Sequence, residues 1–354
     1  MLNDRIRHAA VTIVALTAIF CADDAGAIVS GNASCPGQHA THVRAQDELV
    51  LIDSRPLGCT TDDQRLAEGL VARRYDPVGQ SHGREWVDID WREVVAWNDP
   101  GVATIFYVHG NQIAPRDAYS RGLYVYRKLV RCAGDDRSIR FIIWSWPATQ
   151  IKGMLRDYRI KAERTRPVGY QLAWLVNQMP ADMPIGFLGY SYGARVESGA
   201  AHLLAGGSLG GLRLANPPAA DRPTEHVYLA PAFEEGWLSP RRFHGKAMEQ
   251  IDRLLSTVNP KDPAMKFYPL LGKSIRERAM GFDGPKGLPR SFASRVRLLN
   301  VTASVGRSHD LCDYVQAPGL MAMAWRRLTF ADGPSGYEQH DAPAPVAVAS
   351  LTDR

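Results

Sequence analysis

Pro184-Ile185-Gly186-Phe187-Leu188-Gly189-Tyr190-Ser191-Tyr192-Gly193-Ala194-Arg195-Val196 decides the fold of this chain. A short apolar run, with Ile185, Phe187 and Leu188, leads into Gly189-Tyr190-Ser191-Tyr192-Gly193. Helical spacing follows, with Tyr192, Val196, Ala200, Leu203 and Leu204 on one face. The segment therefore reads as strand, sharp turn and helix, with a serine at the tip, the form of a G-x-S-x-G nucleophile elbow. Such an elbow forces the serine backbone into a strained conformation. Its flanking glycines let strand and helix approach closely. The Tyr192 N–H then opens a helix, where a developing negative charge is favoured.

Outward from the elbow, strand and helix patterns alternate. Upstream, Glu48 to Asp53 and then Arg73 to Val78 read as two strands that pair as a hairpin. Trp91 to Trp97 reads as a short helix. Thr104-Ile105-Phe106-Tyr107-Val108 is β-branched and aromatic throughout, as in a strand buried on both faces. It ends in His109-Gly110-Asn111. Asp117 is placed to cap a helix carrying Tyr119, Leu123, Tyr126 and Val130 on one face. Phe141 to Trp144 is a further strand, stopped by Pro147. A basic stretch read as irregular follows, and Pro167 suits the first turn of the next helix.

Downstream, Val227 to Leu229 is a strand, a helix is expected over Lys246 to Arg253, and Leu254 to Val258 is a strand leading to Asn259-Pro260-Lys261-Asp262. Gly272 to Arg290 reads as a long loop that could cover a pocket as a lid. Val296 to Val301 is the last strand, Ser308-His309-Asp310 lies just beyond it, and one helix is expected over Tyr314 to Leu328. This alternation predicts an α/β fold: a mostly parallel central sheet with helices on both faces and right-handed crossovers.

A serine hydroxyl is a poor nucleophile near neutral pH. It needs a base within hydrogen-bond reach, and the base needs an acid to fix its tautomer. Ser191, Asp262 and His309 each follow a strand, in the order Ser, Asp, His, and are the candidates. Asp252, Glu234, Glu235 and Asp283 are rivals for the acid, and Asp310 reads as a helix cap. His109, His202, His226 and His340 sit at positions unsuited to the base. Two backbone N–H groups are candidates for holding an oxyanion: Tyr192 at the elbow and Asn111 in the turn after the Thr104–Val108 strand. No metal set, nucleotide fingerprint or other cofactor motif is visible.

The elbow, the His109-Gly110 turn, the Trp144-Ser145-Trp146-Pro147 strand end and the Asp157-Tyr158 pair together resemble the α/β-hydrolase superfamily. They are most similar to its exported bacterial serine-hydrolase-like branch, whose function is unassigned. The resemblance spans roughly Thr104 to Leu328. It implies this fold and hydrolase chemistry and leaves the substrate open. The Ser-Asp-His set itself leads to the expectation of a serine acyl-enzyme on a small ester or acyl substrate, with no cofactor. Two departures stand out. The turn reads His-Gly-Asn-Gln where His-Gly-Tyr/Phe-Asn is commoner, and Tyr190 and Tyr192 flank the serine, giving a more aromatic site.

Composition agrees with an ordinary globular chain: 354 residues, 45% hydrophobic, 22% charged, net charge +5. Its basic pairs are scattered, without the footprint of a nucleic-acid binder. At the N-terminus, Arg5, Arg7 and His8 precede an apolar run from Ala9 to Ala22, and Ala25-Gly26-Ala27 offers a cleavage site. This predicts a signal peptide over residues 1–27, an exported domain over 28–330 and a polar tail over 331–354, with no membrane span after cleavage. Of the cysteines left after cleavage, Cys35 and Cys59 are the expected disulfide pair. Cys132 and Cys312 are expected at opposite edges of the sheet.

Overall fold

The computed structural model describes residues 43–76, 85–99, 101–217, 222–270 and 277–333. The signal-peptide reading, and the tail reading from 334 onward, lie outside the described residues. Nine strands form one sheet: β1 Glu48–Asp53, β2 Val71–Tyr75, β3 Trp86–Ile89, β4 Ala103–Val108, β5 Ile139–Ser145, β6 Ile185–Tyr190, β7 Thr224–Leu229, β8 Arg253–Val258 and β9 Val296–Asn300. Their spatial order is β3-β2-β1-β5-β4-β6-β7-β8-β9. β2 and β3 join antiparallel at one edge. Every other neighbouring pair is parallel. This is the expected α/β class with its mostly parallel sheet.

The central strands are apolar because both of their faces are covered. Every residue of β4, β5, β6 and β7 is buried. Covering one side chain such as Ile142 or Leu188 contributes about 1.5–3 kcal/mol. Two glycines of β6 show what covers each face. Gly186 and Gly189 are three residues apart and so point to opposite sides. A Cβ on Gly186 would lie 2.9 Å from the Leu328 side chain, and one on Gly189 would lie 2.6 Å from the backbone of Ala194. Leu328 ends helix α5 (Leu320–Leu328) and Ala194 belongs to helix α3 (Tyr192–Leu204). Helix α2 (Met154–Asn177) packs against α3, and helix α1 (Pro115–Arg131) against α5.

Several local expectations need correction. Helix α1 starts at Pro115 with Ala114 as an N-cap that makes no side-chain bond, so Asp117 sits inside the first turn instead of capping it. Helix α2 begins at Met154, and Pro167 lies inside it. The stretch read as irregular is helical, and its polar buried stripe hid the period: Asp157, Lys161 and Thr165 precede Val168 at helical spacing, and all four are buried. Near Pro167, which donates no hydrogen bond, Thr165 Oγ1 returns its own hydrogen bond to the Ala162 carbonyl at 2.7 Å. Only Ala247–Gln250 is helical where Lys246 to Arg253 was expected, since β8 already begins at Arg253. The closing helix is two helices, α4 (Leu311–Val315) and α5, split at Pro318-Gly319, where Gly319 takes φ 72°.

The cysteines are also corrected. Cys59 is a free, exposed thiol, so the expected Cys35–Cys59 disulfide is not formed; Cys35 lies outside the described residues. Cys132 and Cys312 are each disulfide-bonded. The C-terminal helices return beneath the sheet to α1. Gln316 Nε2 donates to Tyr124 of α1 at 3.3 Å, and Trp325 Nε1 donates to Asp135, just past α1.

Candidate active site

At the tip between β6 and α3, Ser191 has φ 53° and ψ −116°, a conformation that non-glycine residues rarely adopt. The surroundings hold it there. Its N–H donates to the Leu229 carbonyl of β7 at 2.9 Å, and its own carbonyl accepts from Ala232 N. Gly193 is required by close approach, since a Cβ there would lie 1.9 Å from the Val108 carbonyl oxygen. Bare backbone at Gly189 and Gly193 thus lets α3 start against the ends of β4 and β6. Ser191 is buried, with 6% of its surface exposed.

Two loops from later strands complete a line of hydrogen bonds. His309 Nε2 is 3.1 Å from Ser191 Oγ, and His309 Nδ1 is 2.7 Å from Asp262 Oδ2. A carboxylate only accepts, so Nδ1 carries the ring proton and Nε2 offers its lone pair to the serine hydroxyl. Asp262 is wholly buried. Its Oδ1 accepts from Ala264 N and Met265 N at the start of the short helix Pro263–Lys266. Its Oδ2 also accepts from Tyr314 Oη at 2.7 Å. Tyr190 Oη donates to the His309 carbonyl, and its ring lies tilted against the imidazole at 5.5 Å. The structure thus brings Ser191, His309 and Asp262, distant in sequence, into one contact.

Both expected N–H donors lie at this point. Tyr192 is the first residue of α3, where N–H groups have no intrahelical acceptor. The His109-Gly110-Asn111 turn runs beside the serine: a Cβ on Gly110 would be 3.3 Å from Ser191 Cβ. Among the described residues, neither Tyr192 N–H nor Asn111 N–H has a protein acceptor. His109 supports the turn from below. Its Nδ1 donates to the Gly110 carbonyl at 2.8 Å, and its Nε2 accepts from Trp146 N at 3.2 Å. Burial, aided by the Arg55 guanidinium, pushes its pKa down to about 3, so the ring is neutral. Trp144 and Trp146 are fully buried and serve as packing.

The rival acids lie elsewhere. Asp252 accepts from Thr224 N at the start of β7, the opposite end of the sheet. Glu234 is pushed up to about 7 by burial, with Arg195 opposing. Asp283 pairs with Lys286 and Arg278, and Glu235 lies beside it. Asp310 caps α4 through Cys312 N, as expected. The other described histidines are committed to packing: His226 stacks on Phe187 at 4.6 Å, and His202 accepts from Lys246 N. Of the segment read as a lid, residues 272–276 lie outside the described residues. The short helix Met280–Asp283 is stitched to the loops after β7 and β8 by Met280 N to Phe233 O, Gly281 N to Pro231 O and Asn259 N to Gly281 O. Among the described residues, no group of three His, Cys, Asp or Glu could hold a metal ion, and no helix is long and apolar enough to cross a membrane.

Sequence reasoning missed Tyr314 outright, and it singled out Tyr190 and Asp157 without their supporting roles. Tyr314, Tyr190 and Asp157 hold Asp262, His309 and the Asn111 turn respectively. Besides the Asp157-Tyr158 pair, the i,i+4 spacing of Asp157 from Lys161 was a signal that could have pointed to its role.

No family model matches the chain, and no curated protein matches it. Solved structures similar to it include inhibited esterase B from Lactobacillus rhamnosis, at 11% identity and TM-score 0.39 over 83% of this chain and 90% of that one. An acetylxylan esterase is similar at 14% identity and TM-score 0.36, over 66% of this chain and 98% of that one. Carboxyl esterase 2 from the fungus Tuber melanosporum is similar at 14% identity and TM-score 0.35, over 74% and 84%.

Proposed function

We propose that this protein is a serine hydrolase that cleaves a carboxylic ester through an acyl-enzyme on Ser191. The observation that carries this reading is the Ser191–His309–Asp262 line, with contacts of 3.1 and 2.7 Å, at a strained strand-to-helix turn. As the Ser191 oxygen attacks the ester carbonyl, His309 Nε2 takes its proton, and Asp262 balances the imidazolium that forms. The carbonyl oxygen gains negative charge and is met by the Tyr192 and Asn111 backbone N–H groups. Collapse of this tetrahedral species breaks the ester bond, and His309 returns the proton to the departing alcohol. Water, deprotonated by the same histidine, then releases the acid and frees Ser191.

A fluorophosphonate probe tests the reading, because it phosphonylates only an activated serine. The parent protein should be labelled and should hydrolyse p-nitrophenyl acetate. Ser191→Ala and His309→Ala should lose both. A folded parent that resists the probe would support the second reading, a binding protein on the same scaffold. Labelling that survives Ser191→Ala would place the nucleophile elsewhere. Cleavage of anilides in preference to esters would shift the class to amidase or peptidase.

Export belongs to the same proposal and rests on the charged, apolar and Ala25-Gly26-Ala27 segments of the N-terminus. Sequencing the N-terminus of the protein recovered outside the cytoplasm should begin at Ile28. A chain retained in the cytoplasm with its N-terminus intact would sink that part.

A further inference from the structure

We infer that Asp157 is a positioning residue, which aims the Asn111 backbone N–H at the developing oxyanion by gripping the Asn111 and Gln112 side chains. The inference rests on the reading of Ser191 as an acylated nucleophile. Asp157 lies in the first turn of α2, close behind the β4 turn, and its side chain is wholly buried. Its two oxygens divide their work. Oδ2 accepts from Asn111 Nδ2 at 2.8 Å and from Gln112 Nε2 at 3.2 Å. Oδ1 accepts from Ile151 N at 2.9 Å and from Lys161 Nζ at 3.0 Å. Lys161, itself wholly buried, also donates to the Thr149 carbonyl. One carboxylate therefore ties the turn after β4 to the loop after β5 and to α2.

That grip falls on a turn that cannot hold its shape unaided. Gln112 takes φ 58° without being glycine, a conformation that persists only when contacts enforce it. Asn111 between it and Gly110 carries an N–H with no protein acceptor among the described residues, beside the serine. Such a donor accelerates reaction only if it already points to where charge will appear. A carboxylate with two rigid anchors and two outward grips fixes that direction before substrate arrives. An Asp157–Lys161 pair acting only as a structural bridge would need neither Asn111 nor Gln112.

The donor is a backbone group, and this permits a clean test. Asn111→Ala leaves the N–H in place and removes only the side chain that Asp157 holds. It also leaves the Asp157–Lys161 pair intact, so it remains informative if Asp157→Asn fails to fold with Lys161 unpaired. With p-nitrophenyl acetate, we expect Asn111→Ala and Asp157→Asn each to lower kcat by about 10- to 100-fold, short of the loss from deleting a whole donor. KM should stay within about threefold, and the pH at half-maximal kcat should not move, because His309 and Asp262 are untouched. The double variant should lose no more than the worse single variant, as for residues acting in series. A folded Asn111→Ala protein with parental kcat, or losses that multiply in the double variant, overturns the inference. A parent whose Ser191 resists the fluorophosphonate overturns the functional reading, and this inference with it.

Discussion

Buried carboxylates meet opposite fates in two regions of this molecule. At the C-terminal edge of the sheet, Asp262 accepts from Ala264 N, Met265 N, Tyr314 Oη and His309 Nδ1, and Asp157 accepts from Asn111, Gln112, Ile151 and Lys161. Between the sheet and α3, Glu197 is equally buried, yet among the described residues neither of its oxygens has a hydrogen-bond partner. It lies against bare Gly189, whose Cβ would be 2.6 Å from Glu197 Oε2. The difference follows from where backbone donors are left over. Inside the slab, strand N–H groups are spent on the ladder and helix N–H groups on the preceding turn. At strand ends, turns and helix starts have donors to spare. The hydrogen-bonded carboxylates around Ser191 therefore gather at the edge where β4, β5, β6, β8 and β9 release their loops.

The largest expected effect breaks the favoured side of this comparison. Asp262→Asn keeps the shape of the side chain but replaces one acceptor by an amide N–H, so His309 loses the partner that sets its tautomer. Ester hydrolysis should fall by about 10⁴-fold. The N-cap of helix Pro263–Lys266 would weaken by about 1 kcal/mol at most, since Asn caps nearly as well as Asp. Steady-state kinetics beside urea unfolding separates the two. If the variant keeps activity within tenfold of the parent, Asp262 is a helix cap and little else.

The same contrast explains what could be read in the chain beforehand. β4, β5 and β6 were legible because strands covered on both faces leave long apolar runs, such as Ile105 to Val108. The elbow was legible because Gly189 and Gly193 are demanded by contacts of atomic closeness. Ser191, Asp262 and His309 could be named because each follows a strand, and the sheet places strand ends together. The start of α2 was not legible, because its buried stripe is Asp157, Lys161 and Thr165, which hydrophobic periodicity does not register. Tyr314's bond to Asp262 and Tyr190's bond to the His309 backbone depend on how distant loops meet. No spacing in the sequence encodes that. The return of α4 and α5 beneath the sheet is likewise tertiary.

Glu197 offers a smaller effect, visible in stability instead of rate. Burial without any compensating donor holds its pKa well above the ordinary carboxylate range. Below that range, folded and unfolded chains both keep the proton, and the site contributes no pH dependence. As pH rises past it, the unfolded chain releases the proton while the folded chain retains it. The unfolded state gains, and stability falls, with a limiting slope for one proton of about 1.4 kcal/mol per pH unit. Glu197→Gln removes the titrating group, so this component of the slope should vanish. Urea unfolding at pH 5 and pH 8 should show the variant gaining on the parent at the higher pH, while the phosphonylation rate of Ser191 stays parental. Asp262→Asn should do the reverse, abolishing activity without removing the slope. Parallel pH profiles for parent and Glu197→Gln would mean that Glu197 has found a donor, and the two regions would then differ in geometry alone.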